Sequence, residues 1–420
     1  MSRMLKTFLG RVVTRGSLEV ITASGERFFV GDGSGSRIAI EIKDRRAERY
    51  LCLNPELAFG ELYMNGRLVV TRGTLYDLIE LLARNIGRNE PPGFARAMWS
   101  VRRLLRRLRQ HNTRWRAHRN VAHHYDLDGR LYDLFLDRNR QYSCAYFERE
   151  DLGLDEAQQA KLRHIAAKLL VRPGHRVLDI GSGWGGMACY LAETAGARVV
   201  GVTLSEEQRA AAVRQSEERT LSDRVSFRLQ DFRDVSERYD RIVSVGMFEH
   251  VGVGYFDEYF HKIAALLNDD GVMLLHAIGR MDEPTATNPW IDKYIFPGGY
   301  IPALSEVLGA IERSGLIVTD VEVLRLHYAM TLRAWRERFQ ARRQDAANLY
   351  DERFCRMWEF YLASCECAFR HTGLMVFQIQ LTKSLATVPL TRTYIANGEA
   401  AMEMQEQQRA AERWPHSRRA

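Results

Sequence analysis

A glycine-rich turn between an apolar strand pattern and a helical segment constrains the fold more than any other feature of this chain. Residues 176–180 read Arg-Val-Leu-Asp-Ile, a short strand of the buried type, and Gly-Ser-Gly-Trp-Gly-Gly follows directly. Glycines at such a turn let the backbone approach a ligand closely. The helix that begins beyond them offers free N–H groups to an anionic group. The turn therefore predicts a nucleotide-type cofactor at a strand end of an α/β sheet.

Four more apolar strand patterns follow this turn, separated by segments long enough for helices. They read Val-Val-Gly-Val-Thr from Val199, Val-Ser-Phe-Arg-Leu from Val225, Arg-Ile-Val-Ser-Val from Arg241 and Val-Met-Leu-Leu-His from Val272. Strands that alternate with helical segments are typical of parallel, doubly wound sheets. The sequence therefore predicts an α/β fold with a Rossmann-like sheet.

Changes in composition divide the rest of the chain. Short strand patterns with turns fill residues 17–72, and helical spacing follows from Thr74, a favourable N-cap residue. We therefore expect a small α+β domain over residues 1–100, a basic connection over 101–120 and the α/β domain over 121–390. The segment 391–420 is rich in Glu, Gln, Arg and Ala, and we expect a polar tail that is a loose helix or disordered.

Positive charge is concentrated in the connection. Residues 101–120 contain eight arginines and no acid, and the whole chain has a formal net charge of +7. One interpretation is a solvated helix or linker, and another is a basic amphipathic segment that meets anionic lipid headgroups. Nucleic acid is a weaker third interpretation, because no base-reading motif accompanies the charge.

The N-terminus and the cysteines indicate the compartment. The chain begins like a signal peptide, but Arg11 and Arg15 interrupt the apolar stretch. No apolar run reaches the roughly 18 residues of a membrane-spanning helix. The six cysteines show no disulfide-rich spacing. These features predict a cytoplasmic protein with free thiols.

The chain has no pattern typical of a metal site. Cys365 and Cys367 lack a second cysteine pair. His123, His124 and His250 occur without HExxH or 2-His-1-carboxylate spacing. We therefore expect no metal cofactor.

The details of the glycine-rich turn distinguish between cofactors. A dinucleotide site would show G-x-G-x-x-G with an acid about 20 residues later. This chain has G-x-G-x-G-G instead, with Asp179 two residues before the first glycine. That form resembles motif I of S-adenosylmethionine (SAM) dependent methyltransferases, and it predicts SAM as the cofactor. The expected contacts are Asp179, Gly181, Ser182, Gly183, Trp184 and Gly185.

The next two strand ends supply further candidate contacts with SAM. Many methyltransferases hold the ribose with an acid after the second strand, but here Thr203 comes first and the acids follow. After the third strand, Asp231 is able to accept from an adenine amino group and Phe232 to stack on the ring. A loop aspartate and a core phenylalanine are the alternative interpretation. These further candidates are Thr203, Leu204, Ser205, Gln208, Asp231 and Phe232.

Four stretches of the chain carry a resemblance to a known family. They are His124-Tyr-Asp-Leu with Gln141-Tyr-Ser-Cys-Ala-Tyr-Phe, the glycine turn with Thr203-Leu-Ser-Glu-Glu-Gln, Asp240-Arg-Ile-Val-Ser-Val-Gly-Met-Phe-Glu-His-Val-Gly, and Ile295-Phe-Pro-Gly-Gly-Tyr with His327-Tyr. Together they resemble the cyclopropane fatty acid synthases, which are related to the mycolic acid cyclopropane synthases. The resemblance covers residues 120–390 closely and implies a class I SAM-dependent methyltransferase domain. Residues 1–100 are more loosely similar to the lipid-associated domain of the longer bacterial synthases.

The resemblance also implies the residues of the site. Tyr142 and Ser143 would lie over the SAM. A second set would bind a bicarbonate ion, partly through main-chain groups, and Cys365 matches a cysteine long treated as an active-site residue in the family. The bicarbonate set is Cys144, Glu249, His276, Ile278 and Tyr328.

Each of these candidates has a structural interpretation when it is taken alone. His276 at a strand end reads as a core histidine, Glu249 as a helix cap and Tyr328 as a packing tyrosine. Cys144 reads as a structural apolar residue, and Cys365 more readily as a buried helical cysteine than as a catalyst. The occurrence of the four stretches together favours the functional interpretation of His276, Glu249 and Tyr328, whereas the structural interpretation of Cys144 stays open because its main chain is able to do the work.

The implied reaction explains why these residue types are needed. An isolated alkene is a weak nucleophile, and the sulfonium methyl group of SAM is a strong electrophile. In a dry pocket aromatic faces stabilise the resulting acyl cation, each by up to about 2 kcal/mol. A bound base then removes a proton so that the ring closes. The candidates for an aromatic wall are Tyr142, Tyr146, Phe147, Phe248 and Tyr328.

The sequence therefore predicts a SAM-dependent enzyme that cyclopropanates cis double bonds in the acyl chains of membrane phospholipids. We expect a homodimer that docks peripherally on the anionic inner face of the membrane, with no nucleic-acid partner. The alternative is a methyltransferase that stops at a methylated or methylene acyl chain. A lipid-binding protein with a relict SAM site is less favoured because the glycine motif is complete, and a nucleic-acid methyltransferase because its Asn/Asp-Pro-Pro-Tyr/Phe motif is missing.

Overall fold

The computed structural model describes residues 2–86 and 127–413. The basic segment 101–120, the boundaries predicted at 100 and 120, and His123 and His124 lie outside these residues. The amino-terminal unit contains a four-stranded sheet of order β2-β1-β3-β4, in which β1 and β3 are parallel. Its elements are α1 (Ser2–Val12), β1 (Ser17–Ile21), β2 (Arg27–Val30), β3 (Arg37–Ile42), α2 (Arg45–Leu53), α3 (Pro55–Met64), β4 (Leu68–Arg72) and α4 (Leu75–Ile86).

Strands β1 to β4 lie within residues 17–72, where the sequence predicts strands, and Thr74 caps α4 as expected. The Asp77 amide donates to Thr74 Oγ1 at 3.1 Å, and the Thr74 amide donates to Asp77 Oδ2 at 2.8 Å, a reciprocal cap. The expectation of strands and turns throughout residues 17–72 is wrong for α2 and α3. Helix α3 is buried on several sides and contains Gly60, so it shows no clear helical period.

The second unit is built on a seven-stranded sheet of order β10-β11-β9-β8-β5-β6-β7, in which all neighbours are parallel except those of β11. The predicted α/β fold is therefore confirmed. Its elements are α5 (Gly129–Tyr132), α6 (Leu154–Lys168), β5 (Arg176–Ile180), α7 (Gly186–Ala195), β6 (Arg198–Thr203), α8 (Glu206–Glu218), β7 (Val225–Leu229), β8 (Tyr239–Val245), α9 (Phe256–Leu266), β9 (Leu267–Arg280), α10 (Pro289–Tyr294), α11 (Leu304–Ser314), β10 (Ile317–Leu324), α12 (His327–Ala341), α13 (Arg343–Leu349), α14 (Glu352–His371), β11 (Leu374–Thr382) and α15 (Thr393–Arg413).

The strand order places a crevice at the carboxyl ends of the central strands. Strand β5 pairs with β6 on one side and with β8 on the other, so the chain reverses direction across the sheet there. One face of the sheet packs against α6 and α7, and the other against α9 and α11. Ligands of open α/β sheets bind at such a switch point.

The amino-terminal unit packs on α10 and α14 of the second unit. The ring of Phe59 lies 5.5 Å from that of Phe360, and the Trp290 ring lies 4.6 Å from Phe360. A Cβ on Gly60 would lie 2.4 Å from Trp290 Nε1, so only glycine fits at this helix crossing. These contacts explain why a helix interior tolerates glycine here.

The carboxyl-terminal segment forms a regular helix over residues 393–413. Helix α15 packs against α6, and its Glu406 accepts from Arg163 Nη2 at 3.1 Å and from the Tyr190 hydroxyl at 2.6 Å. Ile395 and Met402 are buried. The polar composition left a loose helix and disorder as alternatives, and the structure has a helix that ionic contacts and a few buried apolar residues hold in place.

Candidate active site

The carboxyl ends of β5, β6, β7 and β8 surround a cleft that encloses about 1250 Å³, including its open mouth. Most predicted SAM contacts line this cleft. They are Tyr142, Ser143, Asp179, Gly181, Ser182, Gly183, Trp184, Thr203, Leu204, Gln208, Asp231 and Phe232. Gly185 and Ser205 lie behind the lining, where they are the N-cap residues of α7 and α8.

The glycine turn leaves its backbone open toward the cleft. Gly181, Gly183 and Gly185 all have positive φ, at 79°, 52° and 86°. A Cβ on Gly181 would lie 2.8 Å from the side chain of Met247, whereas one on Gly183 would meet nothing within 4 Å. The turn is thus a cradle that a larger residue would strain, and its open side fits the methionine part of SAM.

Asp179 is the penultimate residue of β5 and precedes this cradle. It is 2 % exposed, and among the described residues its Oδ2 has no hydrogen-bond partner. Burial raises the pKa of this carboxyl to about 7, although the charge of Lys161 opposes the change. A buried acceptor without a partner fits a cationic group of a ligand, and SAM carries two positive charges.

Lys161 on α6 was not predicted from the sequence. Its side chain is fully buried, and its Nζ donates to Gln141 Oε1 at 2.6 Å and to Ser143 Oγ at 2.9 Å. Nearly every residue of α6 is buried, so periodicity does not single this lysine out. A lysine in an all-round buried helix is itself a signal, because buried charges are almost always partnered.

The ends of β6 and β7 are held by local hydrogen bonds. Thr203 Oγ1 donates to Gln208 Oε1 at 3.1 Å, and Ser205 Oγ accepts from the Gln208 amide at 3.2 Å, which caps α8. Asp231 accepts from Arg233 Nε at 2.9 Å and from Arg233 Nη2 at 2.6 Å. An adenine amino group would therefore share the Asp231 carboxylate with this arginine.

Glu249, which lies between the cleft residues Met247 and His250 in the sequence, and His276 on β9 are two further buried polar residues. Glu249 Oε1 accepts from the Ile278 amide at 2.6 Å, and Gln378 Nε2 lies 3.2 Å from His276 Nδ1. Their other atoms, Glu249 Oε2 and His276 Nε2, are buried and have no partner within the part of the chain that the structure describes. Burial raises the pKa of Glu249 to about 7, and burial followed by the charge of Lys161 lowers that of His276.

Cys144 and Tyr328 lie in segments that pack on each other. The Ala145 amide donates to Thr331 Oγ1 at 3.0 Å, which ties the segment of Cys144 to the first turns of α12. The Tyr328 ring packs 4.7 Å from that of Phe369. Burial raises the pKa of the Cys144 thiol far above its ordinary value. Cys144 is thus placed to act through its main chain or through packing.

Cys365 lies on α14, one turn after Tyr361. Burial raises the pKa of its thiol to about 12, so it stays protonated at neutral pH and is a poor nucleophile. Tyr361 was missed by sequence reasoning, although it is buried and its hydroxyl lies 2.8 Å from that of Tyr142.

The aromatic wall differs from the one predicted. Tyr142 and Tyr328 both pack on Trp335, with ring centroids 5.2 and 5.9 Å away. Phe248 instead lies in the core on the α9 side of the sheet, and Tyr146 stacks between two histidine rings. The expectation that Phe248 forms part of this wall is therefore wrong. Tyr146 and Phe147 pack against the same apolar cluster as the other two tyrosines.

Residues 2–86 and 127–413 hold no cluster of three or more His, Cys, Asp or Glu side chains that could bind a metal ion. Within the same ranges no helix is long and apolar enough to cross a membrane.

The sheet order and the glycine cradle define a SAM-dependent methyltransferase fold, and comparisons with known proteins identify the family. The family model described as mycolic acid cyclopropane synthetase matches residues 112–379. The chain therefore belongs to this family and is a SAM-dependent enzyme.

Individual relatives support this assignment. A cyclopropane-fatty-acyl-phospholipid synthase of Escherichia coli K12 is 38% identical over 329 residues, which cover 78% of this chain and 84% of the relative. The tuberculostearic acid methyltransferase UfaA1 of Mycobacterium tuberculosis is 35% identical over 393 residues, 89% of this chain and 90% of the relative. The solved structure of the mycolic acid cyclopropane synthase CmaA1 with SAH and CTAB is 36% identical with a TM-score of 0.60, over 63% of this chain and 97% of that one.

Proposed function

We propose that this enzyme forms a cyclopropane ring across cis double bonds in the acyl chains of membrane phospholipids, with SAM as the one-carbon donor and bicarbonate as the base. The observation that carries the proposal is that two buried atoms, Glu249 Oε2 and His276 Nε2, have no partner among the described residues, and that Glu249 lies between two residues that line the SAM-type cleft. Buried polar atoms without partners are costly, and a small polar ligand would satisfy them.

The donor set suits an oxygen anion. With a pKa of about 7, the Glu249 carboxyl is half protonated near neutral pH, so its free oxygen is able to donate a hydrogen bond. The lowered pKa of His276 keeps its ring neutral, and one tautomer presents an N–H at Nε2. Bicarbonate, when bound, would supply the base that the reaction needs. The proposed role of Glu249, His276 and the Tyr328 hydroxyl is to hold it.

Other residues would orient the acyl chain and exclude water. When SAM is bound it supplies an electrophilic methyl group, which an isolated alkene requires. The faces of Tyr142, Tyr328 and Trp335 lie in one apolar cluster, and aromatic faces stabilise a nearby cation by up to about 2 kcal/mol when dry. This cluster would keep water away from the cation until the ring closes.

The phospholipid substrate requires contact with a membrane. Arg3, Lys6 and Arg11 are exposed on α1, and residues 101–120 add eight arginines outside the described residues. Basic groups near an anionic surface contribute about 1 kcal/mol each. We therefore propose a peripheral protein on the inner face of the cytoplasmic membrane, and a homodimer because symmetric dimers are the commonest assemblies.

An incubation with defined lipid tests the proposed reaction. Purified protein is mixed with SAM and vesicles of a cis-monounsaturated phospholipid, and the released fatty acids are analysed by gas chromatography and mass spectrometry. The expected product is one methylene heavier and resists mild hydrogenation. Vesicles of the saturated phospholipid are the control, and a product from them would contradict attack on a double bond.

A second candidate function is methyl transfer without ring closure. It is favoured by the similarity to a relative named as a tuberculostearic acid methyltransferase. In that case the same incubation gives a product that is branched or sensitive to hydrogenation, and the role of bicarbonate fails.

A further inference from the structure

The buried ammonium of Lys161 is bonded in an unusual way. Its Nζ donates to two neutral side chains, Gln141 and Ser143, and no carboxylate in the described residues lies within ion-pair distance. A buried charge without an ion pair is expensive. If this position were only structural, a neutral residue would serve equally well there. The positive charge of the side chain therefore needs a separate explanation.

Both acceptors belong to the segment that covers the cofactor cleft. Arg140, Gln141, Tyr142 and Ser143 all line the cleft. Asp137 holds the backbone of this segment from the other side, because it accepts from the Asn139 and Gln141 amides, each at 2.8 Å. Lys161 therefore fixes side chains in a segment whose backbone is already anchored.

Gln141 extends this connection to the glycine turn. A Cβ on Gly186, the first residue of α7, would lie 2.2 Å from Gln141 Nε2. The amide that accepts from Lys161 therefore rests directly on the start of the helix that follows the cradle. A substitution at Lys161 would therefore affect the glycine turn through one intervening side chain, that of Gln141.

The groups that face Lys161 come from four parts of the chain. They are Asp137, Cys144, Asp179 and His276, all of which interact electrostatically with its ammonium group. Asp179 also interacts with the thiol of Cys189. Among these groups, Asp179 lines the cleft and has an oxygen without a partner within the described ranges.

We propose that Lys161 is a positioning residue for the cofactor, which holds Gln141 and Ser143 over the cleft and keeps Asp179 ionised toward the positive charges of SAM. This role rests on the SAM cleft and not on the identity of the acyl product.

The pH dependence of cofactor binding follows from this role. Burial raises the pKa of Asp179 to about 7 and Lys161 opposes that change, so loss of the lysine charge raises this pKa further. Ionised Asp179 favours a cationic ligand. Affinity should therefore fall as the pH falls through about 7 in the native protein, and at higher pH without the lysine.

Titration of the full-length protein with S-adenosylhomocysteine (SAH), which keeps the ammonium group, tests the role by calorimetry from about pH 6 to about pH 9. We expect Lys161→Met to weaken binding at least about tenfold near pH 7 and to move the pH midpoint upward, since one pKa unit is a tenfold effect. Lys161→Gln keeps a donor for Gln141 and Ser143, so it should show the same shift in midpoint with a smaller loss at high pH. If the Lys161→Met protein fails to fold, the Lys161→Gln protein is used for the same measurement.

Lys168→Met is the matched control. Lys168 is equally buried on the same helix, but its Nζ pairs with Asp320 at 3.1 Å and with Glu322, away from the cleft. Its substitution should leave SAH affinity unchanged within about twofold. The inference is overturned if the Lys161 variants keep the native affinity and pH midpoint, or if Lys168→Met causes the same loss. Because SAH binding needs no acyl substrate, failure of ring formation would leave this result untouched.

Discussion

Helix α6 has buried charge on two sides, and the two sides differ in how completely that charge is paired. Toward α15 and β10, His164 Nδ1 lies 2.6 Å from Glu399 and its Nε2 lies 2.8 Å from Glu322, while Lys168 pairs with Asp320 and Glu322. Toward the cleft, Lys161 bonds to neutral side chains.

This difference in pairing distinguishes the charges that stabilise the fold from the charges that belong to a ligand site. Each buried polar atom without a partner costs about 1–3 kcal/mol. In the cleft region Asp179, Glu249 and His276 each keep such an atom, as far as the described residues extend. A fold that tolerates this cost at one place and avoids it a few turns away is arranged for a ligand at the first place.

The largest expected effect is at Glu249. Glu249→Leu removes the acceptor for the Ile278 amide and the free oxygen together, and we expect ring formation to fall about 1000-fold, within the range for loss of acid–base machinery. Glu249→Gln keeps an acceptor and a donor, so it should retain at least about ten times the activity of the Leu variant. Initial rates by gas chromatography measure both.

The control for this prediction is Glu399→Gln, which changes a carboxylate in the paired cluster and should leave the rate unchanged. Adding bicarbonate to buffer depleted of carbon dioxide should raise the native rate and not that of Glu249→Leu. Equal losses in the Leu and Gln variants would contradict a neutral, hydrogen-bonding role for Glu249.

The paired cluster should respond in stability and not in chemistry. Lys168→Met removes the buried cation that Asp320 and Glu322 share, and breaking a buried pair costs about 3 kcal/mol. Urea unfolding measures this change. Arg333→Met, which breaks an exposed pair with Glu337, is the comparison and should cost less than about 0.5 kcal/mol. A large loss of turnover in folded Lys168→Met would remove the distinction between the two sides.

Stability should also depend on pH through His164. Burial lowers the pKa of His164, but its bonds to Glu322 and Glu399 outweigh this and raise it above the ordinary 6.5. Its contribution is therefore complete below 6.5 and is lost as the pH rises through the raised pKa. Glu322 behaves oppositely: its lowered pKa stabilises above the ordinary 4.5 and is lost in acid. The cluster therefore stabilises the fold most between pH 4.5 and pH 6.5, the ordinary pKa values of a glutamate and a histidine.

Unfolding free energies across neutral pH check this dependence. In the native protein the free energy of unfolding should decline with pH through His164 by at most about 1.4 kcal/mol per pH unit, the limit for one proton. We expect His164→Gln to remove this decline. His261→Gln, at an exposed histidine, should keep the native slope. An unchanged slope in His164→Gln would mean that folding does not raise the pKa of this histidine.

The smallest effect is expected at Cys365. Its thiol has a pKa of about 12 because it is buried, so it is not a nucleophile near neutral pH. Cys365→Ala should keep ring formation within about twofold of the native rate, whereas loss of a covalent nucleophile would cost orders of magnitude. A rate more than about 100-fold lower, with SAH binding intact, would restore the catalytic role.

The parts of the site that follow strands could be predicted from the sequence. Asp179, Thr203 and Asp231 each come at the end of an apolar strand pattern, and parallel strands bring their carboxyl ends to one edge. The succession of strands and loops along the chain therefore predicts the residues that line the cleft at these strand ends. The resemblance to a family added Glu249 and His276, which strand patterns alone leave as core residues.

The parts that depend on packing between distant segments could not be predicted. Lys161, Trp335 and Tyr361 lie on helices that are buried on several sides, so no periodic pattern marks the face toward the cleft. Phe248 was assigned to the aromatic wall in error for a related reason. The sequence pattern predicts that this residue is buried, but it does not predict on which side of the sheet. The sequence left the segment of α15 open between a loose helix and disorder, because composition does not distinguish its salt bridges from solvated charge.

Isotope retention tests the central claim most directly. The protein is incubated with SAM that carries a trideuterated methyl group and with vesicles of cis-monounsaturated phospholipid, and the product fatty acids are analysed by mass spectrometry. Ring closure by deprotonation of the transferred methyl group predicts a product that retains two of the three deuterium atoms and resists mild hydrogenation, whereas a methylene product with two deuterium atoms would be hydrogenated. A product that retains all three would show methyl transfer without ring closure and would contradict the role proposed for Glu249 and His276.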